Sequence, residues 1–430
     1  MSSFLNGITP DSFSGFIFAI EGITRSVVLV NGPSGCKFYH SATSDNQSIH
    51  SPVFDPLESP DEFFFGQPRI PCTYLDSNDY VYGSADKLER ALNVIREKVP
   101  HDLVCVVNSP GAALIGDDLR LTVQKALPGA RCICIESPGF SQDVTEGYES
   151  AMTELFKCLE FKKPARTAGR RVNILGLSIL HKYFRGDAAE LRRLLGLCGI
   201  EVGCLLGADC TMAEVLAMPE AALNVVLHPE YGERTGQWLE AHCGIPLLVL
   251  DGPPVGFAAT QAFIERVCAH FDIAAPEFFE ELCRSRAKAY VHISRVNSLT
   301  GLPKGTSVAI EGTPFDIAAY ADFLARYFGM VVTCVMPVGE PDKAALEPLS
   351  KRLRALNMED ALYTDIADSG AELVFASGNT IAVLKNKGMV FCGVEIALPS
   401  LGYIDVLDKT QLGIQGALLI TEQVLNGLLF

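Results

Sequence analysis

The sequence predicts an α/β protein built from doubly wound domains with parallel sheets. Short apolar runs alternate with segments of helical periodicity, as in Leu103–Val107 followed by a helix that begins near Asp117. The runs lack polar alternation, and strands of this kind belong to sheets covered on both faces. A chain of 430 residues, 48% of them hydrophobic, is long and apolar enough for two to four such domains.

The first predicted domain covers residues 1–165. Ser84 is a candidate N-cap of a helix, and strands are predicted at Leu103–Val107 and Cys132–Ile135. The apolar side chains of that helix recur on one face, at Leu88, Leu92, Ile95 and Val99. The polar and basic stretch 160–171 has no apolar period and is interpreted as a linker.

The second and third predicted domains cover residues 166–290 and 291–430. In the second, strands alternate with helices, and the strands are predicted at 172–177, 201–206, 224–228 and 245–250. In the third, a helix over 314–328 follows the first strand, and the strands are predicted at 307–312, 330–336, 371–376 and 389–394. An amphipathic helix over 416–429 closes the chain.

The charge and hydropathy of the chain limit the binding partners and the cellular compartment that can be expected for it. The net charge is −16 and the pI is near 5.0, which argues against binding to nucleic acid or to an anionic membrane. The apolar run Gly15–Ile20 is followed by Glu21 and Arg25, so it is shorter than the roughly 20 residues of a membrane-spanning helix. No secretory signal pattern is present. We therefore expect a cytoplasmic protein.

The 14 cysteines divide into two groups. Without a secretory signal they are predicted to be reduced thiols, and Cys204, Cys334 and Cys392 lie in apolar segments typical of buried cysteine. Cys36 and Cys72 differ, because they lie in Gly- and Pro-containing loops outside any periodic element. Cys36 ends the loop Asn31–Cys36, which directly follows the strand-like Val27–Val30 and whose backbone amides can donate to thiolate or sulfide.

These two loop cysteines are the best candidates for a metal or cluster site, with ordinary surface or buried thiols as the alternative. The sequence contains neither a G-x-x-x-x-G-K-[ST] loop nor a ferredoxin-type C-x-x-C-x-x-C motif. Neither ATP binding through a P-loop nor a ferredoxin cluster is therefore expected of this chain.

In order along the chain, several short motifs resemble those of nitrogenase component 1 subunits. Each is short, but together they span nearly the whole chain: Gly32–Cys36, Tyr80–Gly83 followed by Lys87 and Leu88, Ile115–Asp118, Ser137–Ser141, Pro219–Val226, Gly244–Pro246, Pro254–Gly256 and Gly413–Ala417. The family includes nitrogenase, cofactor-assembly scaffolds, protochlorophyllide and chlorophyllide reductases, a nickel-tetrapyrrole reductase and thioether-cleaving relatives.

The resemblance implies three flavodoxin-like or Rossmann-like domains and an iron–sulfur cluster, [4Fe–4S] or larger, at a subunit interface. It places Cys36 and Cys72 as metal ligands, with Gly35 beside them at the cofactor. It also implies a homodimer or heterotetramer with an identical or homologous subunit. Electrons would come from a separate ATP-dependent iron–sulfur reductase.

Three departures from the family pattern shape the expected chemistry. The third cluster cysteine would fall at about Pro110, so the missing ligand is left to Cys105, to Asp76 or Asp79, or to a partner subunit. Cys105 is the poorest of these, because its strand position suggests packing. The positions of the two ligands of the large nitrogenase cofactor are taken by Gly236 and Leu412, so dinitrogen reduction is not expected.

The leading hypothesis is an oxidoreductase subunit that passes electrons to a hard-to-reduce substrate, either a tetrapyrrole or a small carbon–sulfur compound. A non-catalytic scaffold for metallocofactor assembly shares the same motifs, and a soluble substrate-binding protein shares only the fold. His181, His228 and Glu395 are possible proton donors near a substrate cleft, each equally consistent with a structural role. No catalytic acid is assigned from the sequence.

Overall fold

The computed structural model describes residues 10–36, 70–136, 142–159, 161, 169–339, 341, 343–400 and 405–429. The chain forms two compact units. The cysteine unit consists of residues 10–162 with 209–216, and the two-sheet unit consists of the remainder. Two motifs noted in the sequence, Ser137–Ser141 and most of the linker 160–171, lie outside the described residues. The division into three domains stays a prediction.

Strands occur in both units. In chain order they are β1 (Ile23–Thr24), β2 (Ser26–Asn31), β3 (Leu103–Asn108), β4 (Cys132–Ile135), β5 (Arg171–Leu175), β6 (Glu201–Leu205), β7 (Cys210–Thr211), β8 (Leu223–Val226), β9 (Leu247–Val249), β10 (Ser307–Gly312), β11 (Val331–Pro337), β12 (Leu373–Ser377) and β13 (Cys392–Ala397).

Helices alternate with these strands. In chain order they are α1 (Ser12–Glu21), α2 (Ser77–Tyr82), α3 (Ala85–Lys98), α4 (Leu119–Ala126), α5 (Val144–Cys158), α6 (Phe184–Leu197), α7 (Met212–Ala217), α8 (Glu233–Cys243), α9 (Gly256–His270), α10 (Pro276–Thr300), α11 (Pro314–Phe328), α12 (Lys343–Ala355), α13 (Gly378–Asn386) and α14 (Gly413–Leu429).

The larger sheets are parallel throughout, which confirms the predicted α/β class. The cysteine unit holds a sheet of order β2-β3-β4 and a small β1-β7 pair. The two-sheet unit holds one sheet of order β6-β5-β8-β9 and another of order β11-β10-β12-β13. Each order in the two-sheet unit contains crossovers, as doubly wound sheets do.

The register of β2 against β3 positions the site described below. The two strands pair without a break from Ser26 opposite Leu103 to Asn31 opposite Asn108. Both strands therefore end at the same level, each on an asparagine. Helices α3 and α4 cover one face of this sheet with a buried cluster that includes Leu88, Leu92, Val104, Val106 and Val123.

The predicted face of α3 is correct except at its end. Leu88, Leu92 and Ile95 are buried, whereas Val99 is 39% exposed because the helix ends at Lys98. Asp118, rather than Asp117, is the N-cap of α4, and its carboxylate accepts from the backbone N–H of Leu121 at 2.8 Å.

Helix α1 has no amphipathic pattern that would predict it, because all ten of its residues are buried. It packs against α5 at very close range. A Cβ at Gly15 would lie 2.1 Å from the carbonyl oxygen of Val144, and one at Gly147 would lie 2.1 Å from that of Ser12. The two glycines therefore allow the backbones of α1 and α5 to touch.

In the two-sheet unit the predicted strands are present with shifted ends. Strand β13 runs from Cys392 to Ala397 rather than over 389–394, and β9 covers three residues of the predicted 245–250. Helix α10 escapes prediction because only Phe278, Leu282 and Ala289 of its 25 residues are buried, which is too few for a clear apolar period. Helix α14 is confirmed and begins three residues early, at Gly413.

The cysteines of the chain are free thiols. Cys204 and Cys334 are buried as expected, whereas Cys392 is only partly buried. Among the described residues, no helix is long and apolar enough to span a bilayer.

Candidate functional site

Two asparagines organise the carboxyl edge of the sheet in the cysteine unit. The Asn31 amide donates to Oδ1 of Asn108 at 2.9 Å and to the hydroxyl of Ser84 at 3.2 Å. Its carbonyl oxygen accepts from the hydroxyl of Thr73 at 2.9 Å. The Asn31 side chain thereby ties β3, the start of α3 and the segment around Cys72 to the end of β2. Buried hydrogen bonds of this kind fix the backbone from which both loop cysteines extend.

The segment around Cys72 lies beside the end of β2 like an added parallel strand. The N–H of Val30 donates to Pro71 at 3.0 Å, and the N–H of Thr73 donates to Val30 at 3.0 Å. Further along, the N–H of Leu75 donates to Gly32 at 3.2 Å. Cys72 is therefore held by the backbone on both sides, and it is only 5% exposed.

Cys36 lies in the turn that follows β2, where its N–H donates to the carbonyl oxygen of Pro33 at 3.2 Å. Burial raises the pKa of the Cys36 thiol above its ordinary value, and the nearby thiol of Cys72 adds to that rise. The Ser109 hydroxyl lies within reach of the Cys36 thiol and acts in the opposite direction, because a hydrogen bond to the thiolate lowers this pKa. The carboxylate of Asp11, which caps α1, is also close enough to act on Cys36.

The two glycines of this turn have different surroundings. A Cβ at Gly32 would lie 2.6 Å from both Cβ and Oγ of Ser109, so no larger residue fits there without displacing the serine. A Cβ at Gly35 would meet no atom of the described residues within 4 Å. Among those residues nothing fills the space beside Gly35, next to Cys36, and this is the position that the resemblance places at the cofactor.

Ser109 is a site residue that the sequence reasoning missed. It follows the last residue of β3, and its N–H donates to the carbonyl oxygen of Asn31 at 2.8 Å. Its hydroxyl also accepts from the N–H of Ala112 at 3.3 Å, which fixes the side chain beside Cys36. The signal that would have found it is its place at the end of the strand next to β2, one residue before Pro110.

The other ligand candidates are engaged elsewhere. Cys105 is fully buried in β3, and burial raises its pKa strongly, as expected of a packing cysteine. Asp76 caps α2, and the carboxylate of Asp79 accepts from the N–H of Asp76 at 2.6 Å. Both carboxylates also pair with Lys87, at 2.8 and 2.6 Å. Either aspartate would have to lose these contacts before it could bind a metal ion.

The Tyr80–Gly83 motif forms the end of α2 and the turn into α3. Gly83 has a φ of +105°, and the N–H of Ser84 after it donates to the Asp117 carboxylate at 2.5 Å. The Ile115–Asp118 motif thus supplies Asp117 to this turn and Asp118 to the start of α4. Both motifs stabilise the end of the β2-β3-β4 sheet from which Cys36 and Cys72 extend. This end of the sheet is called the cysteine edge below.

Within the described residues, no group of three or more His, Cys, Asp and Glu side chains lies close enough together to hold a metal ion. The cysteine edge offers two thiols. The two positions that the resemblance assigns to the large-cofactor ligands hold no donor, since Gly236 packs against Leu247 and Leu412 is a buried leucine.

The three side chains suggested as proton donors all lie in the two-sheet unit. The rings of His181 and His228 come together, with centroids 4.1 Å apart. The carboxylate of Glu395 instead pairs with Nζ of Lys182, at 2.9 Å.

Comparison with known proteins agrees with this architecture. The family model described as nitrogenase component 1 type oxidoreductase matches residues 12–429. One subunit of the light-independent protochlorophyllide reductase from Synechococcus sp. (strain WH7803) is 29% identical over 72% of this chain and 61% of its own length. The corresponding subunit from Synechococcus sp. (strain CC9311) is 27% identical over 88% of this chain and 73% of its own length. The chain thus spans between about six-tenths and three-quarters of these curated relatives.

Among solved structures, one described as nitrogenase Cp1 at pH 6.5 superposes with a TM-score of 0.79, covering 98% of this chain and 93% of that chain. At 17% sequence identity, this likeness establishes the fold alone. Because the family model matches nearly the full length, the chain belongs to the nitrogenase component 1 type oxidoreductase family.

Proposed function

We propose that this chain is the iron–sulfur subunit of a nitrogenase-like reductase. Cys36 and Cys72 would hold an iron–sulfur cluster, [4Fe–4S] or larger, together with ligands from an identical or homologous second chain. The observation that carries the proposal is that the backbone holds both loop cysteines at the end of β2, near enough for the Cys72 thiol and the Ser109 hydroxyl to act on the Cys36 thiol.

The donor set fits a cluster shared between chains. Clusters of this type are held by about four ligands, mostly thiolates, and the cysteine edge supplies two. Asp76 and Asp79 are engaged by Lys87, so a second chain is the better source of the remaining ligands. The open space at Gly35 is where a group larger than a single ion would fit.

The surface around the cysteines supports a protein partner. Several large apolar side chains of this region are exposed on α2, on the loop before it and on the turn after β3, and they are Tyr74, Val81, Tyr82 and Leu114. Apolar and aromatic side chains of this kind are typical of protein interfaces. This patch suits an identical or homologous chain that completes the ligand set.

The residues around the sulfurs set the conditions for electron transfer. When bound, an iron–sulfur cluster supplies one-electron transfer at low potential. The Ser109 hydroxyl would donate a hydrogen bond to a ligating sulfur, and such bonds tune the potential. Cys72 is nearly inaccessible, so the chain excludes water from that ligand.

Electrons would come from a separate ATP-dependent iron–sulfur reductase, in keeping with the absence of a P-loop motif from this sequence. The substrate would be a tetrapyrrole or a small carbon–sulfur compound. The tetrapyrrole is favoured, since the relatives quoted above are subunits of a protochlorophyllide reductase. Dinitrogen is not the expected substrate, because neither Gly236 nor Leu412 can ligate a metal.

The experiment that tests this function is anaerobic purification of the chain followed by iron and acid-labile sulfide analysis and electron paramagnetic resonance. We expect about two to four irons per chain and a signal that changes on reduction. Protochlorophyllide is then supplied with ATP and the iron–sulfur reductase of the source organism, and its absorbance is followed.

Iron with turnover supports the reductase. Iron without turnover of protochlorophyllide or of a carbon–sulfur substrate favours the assembly scaffold. A folded, iron-free protein contradicts the proposed function.

A further inference from the structure

Three strand ends meet in the two-sheet unit around a pair of histidines. His181 lies in the loop after β5, and His228 follows the neighbouring strand β8, with which β5 pairs up to Leu175 opposite Val226. Asp316 comes from the first turn of α11, directly after β10. Ligands of open α/β sheets bind at the carboxyl ends of the strands, so the position alone suggests a ligand-binding site.

His228 and Asp316 form a buried ion pair. Nδ1 of His228 lies 3.0 Å from Oδ1 of Asp316, within ion-pair distance although the ring N–H is not aligned for a hydrogen bond. Burial alone would lower the pKa of His228, but the Asp316 carboxylate outweighs it and holds that pKa above its ordinary value. The protonated form of His228 thus has a counter-ion in place.

His181 is neutral, and its tautomer is fixed by Ser178. Burial and the neighbouring charge of His228 lower its pKa to about 3, so one ring nitrogen carries a proton and the other does not. The backbone N–H of Ser178 donates to Nδ1 at 3.1 Å, a shorter contact than the 3.3 Å to the Ser178 carbonyl oxygen. Because a backbone N–H can only donate, Nδ1 is the acceptor and the proton lies on Nε2.

The resulting Nε2–H group is buried and has no hydrogen-bond partner within the part of the chain that the structure describes. Buried donors are almost always paired, because an unpaired one loses its water without replacement. His181 as a whole keeps partial exposure, although its Nε2 atom is itself buried. An acceptor that enters beside the ring would supply the missing partner.

The loop that carries His181 is firmly held. The ring of Tyr231 packs edge-on against His181, with centroids 5.0 Å apart. The next residue, Lys182, is buried and pairs with Glu395 at 2.9 Å and with Asp405. Tyr183 has a φ of +63°, a conformation that costs energy for a residue other than glycine and that persists where the surroundings impose it. The direction of the Nε2–H bond is thus built in.

The charges around the histidine pair indicate which acceptor suits it. Asp316, Glu230 and Asp187 all act on His228, so acidic groups outnumber the single imidazolium. An added carboxylate or phosphate would be repelled here. A neutral acceptor, such as a carbonyl oxygen, would accept the hydrogen bond without that penalty.

We propose that His181 is a substrate-binding residue of the two-sheet unit, whose Nε2–H donates a hydrogen bond to a neutral carbonyl oxygen of an organic substrate. This inference rests on the proposed function, because it supplies the substrate of the reductase with an anchoring and polarising contact. A neutral imidazole acts here as a hydrogen-bond donor and not as a proton source, so the step leaves every proton where it was.

The test uses protochlorophyllide, a tetrapyrrole with a conjugated keto group, and the full chain in three forms: wild type, His181→Phe and His181→Gln. Phenylalanine keeps the ring and removes the donor, whereas the glutamine amide places a donor near the position of Nε2. His242→Phe is the matched control, since His242 is an exposed histidine on α8.

We expect His181→Phe to bind protochlorophyllide about tenfold more weakly than wild type, and His181→Gln to recover most of the affinity. Resonance Raman spectroscopy supplies a readout that a merely structural role would not move. The keto stretch of the bound tetrapyrrole should lie lower in wild type and His181→Gln than in His181→Phe.

A measurement on the wild-type chain covers the case in which His181→Phe does not fold. In ¹⁵N-histidine spectra, the Nε2 proton of His181 should shift when protochlorophyllide is added. Equal affinity in all forms, an unmoved Nε2 proton or the absence of binding to wild type would overturn the role of His181. Iron content is measured in the same samples, and its absence from all of them would overturn the proposed function as well.

Discussion

The cysteine edge and the histidine pair lie at equivalent places in two different sheets, and they are incomplete in opposite ways. At the cysteine edge, the polar side chains that hold the backbone, such as Asn31 and Thr73, have their hydrogen bonds, and ligands are what is lacking. At the histidine pair, the charge of His228 is balanced by Asp316, and what is lacking among the described residues is an acceptor for one N–H group.

This difference identifies what each place is suited to bind. Two thiols on a rigid, hydrogen-bonded frame suit a metal cluster that a second chain completes. A fixed donor beside a neutralised ion pair suits an uncharged polar group. Neither conclusion follows from the position at a strand end alone, because both centres share that position.

The largest effect is expected from removing either thiol of the cysteine edge. Cys36→Ala and Cys72→Ala should each lower bound iron at least about tenfold, since a lost ligand weakens metal binding at least as much as a lost outer-shell contact does. The far-ultraviolet circular dichroism should not change. Iron and sulfide analysis of anaerobically purified protein measures the effect.

Cys283→Ala, which alters an exposed cysteine on α10, is the control and should keep its iron. Full iron in both Cys36→Ala and Cys72→Ala would rule out the assigned site.

The next effect concerns the stability of the histidine pair. Asp316→Asn leaves the buried imidazolium of His228 without its counter-ion and should lower the free energy of unfolding by about 3–5 kcal/mol near pH 6. Chemical denaturation measures this. Asp360→Asn, at an exposed position, should change the value by no more than about 0.5 kcal/mol.

The pH dependence of this loss of stability follows from the shifted pKa values of His228 and Asp316. The pKa of His228 is raised, so its stabilisation is complete below the unfolded pKa of about 6.5 and is lost as the pH rises through the folded value. Burial alone would raise the pKa of Asp316, but the charge of His228 holds it below normal, so its stabilisation is lost as the pH falls through the folded value.

The difference between wild type and Asp316→Asn should therefore be largest between about pH 4 and pH 6.5. Glu230 and Asp187 also face His228, and burial raises the pKa of each to about 7. For this reason both proteins are compared at every pH. A loss that is constant from pH 4 to pH 9 would contradict the charge pair.

An intermediate effect separates the two glycines of the cysteine edge. Gly32→Ala would place a Cβ 2.6 Å from Ser109 and should destabilise the protein by about 1–3 kcal/mol. The Cβ of Gly35→Ala meets no described residue within 4 Å, so the iron-free chain should keep its stability to within about 0.5 kcal/mol. Because that space is where the cluster is proposed, Gly35→Ala should nevertheless hold less iron.

Thermal unfolding and iron analysis of both glycine variants measure these effects. The double variant with Ser109→Gly should relieve the clash of Gly32→Ala. Normal iron in Gly35→Ala would place the cluster elsewhere.

The smallest effect is expected at the carboxylates considered as replacement ligands. Asp79→Asn weakens the pairing with Lys87 and the reciprocal cap of α2, both largely at the surface, and should lower the unfolding temperature by no more than about 3 °C. Iron content should not change. A large loss of iron in this variant would make Asp79 a ligand and remove one reason for invoking a second chain.

Much of the fold could be predicted from the sequence. The helices and helix ends that could not be predicted have physical explanations. Strands such as Leu103–Asn108 are continuous apolar runs, which local composition reveals. Helix α1 is buried on every side and α10 is mostly exposed, so neither has the one-sided apolar period by which helices are recognised. The end of α3 was placed at Val99 because periodicity marks a face and not a terminus.

The sequence singles out part of the candidate site. Cys36 and Cys72 stand out because they lie in glycine- and proline-containing loops, whereas Cys105 lies in a strand and is fully buried. Ser109 was missed, because a single serine after a strand has no pattern, and its contact with Cys36 joins residues far apart in the sequence. The pairing of His181 with His228 was missed for the same reason.

The sequence by itself determined the class of the protein, the family motifs and the two loop cysteines, since these are properties of residue type and local order. Only the tertiary structure decided that Cys36 lies near Cys72, that Asp76 and Asp79 are engaged by Lys87, and that the Nε2–H group of His181 has no partner among the described residues. The physical reason is that parallel strands bring distant segments to one edge, and hydrogen bonding there depends on geometry that neighbouring residues in the sequence do not encode.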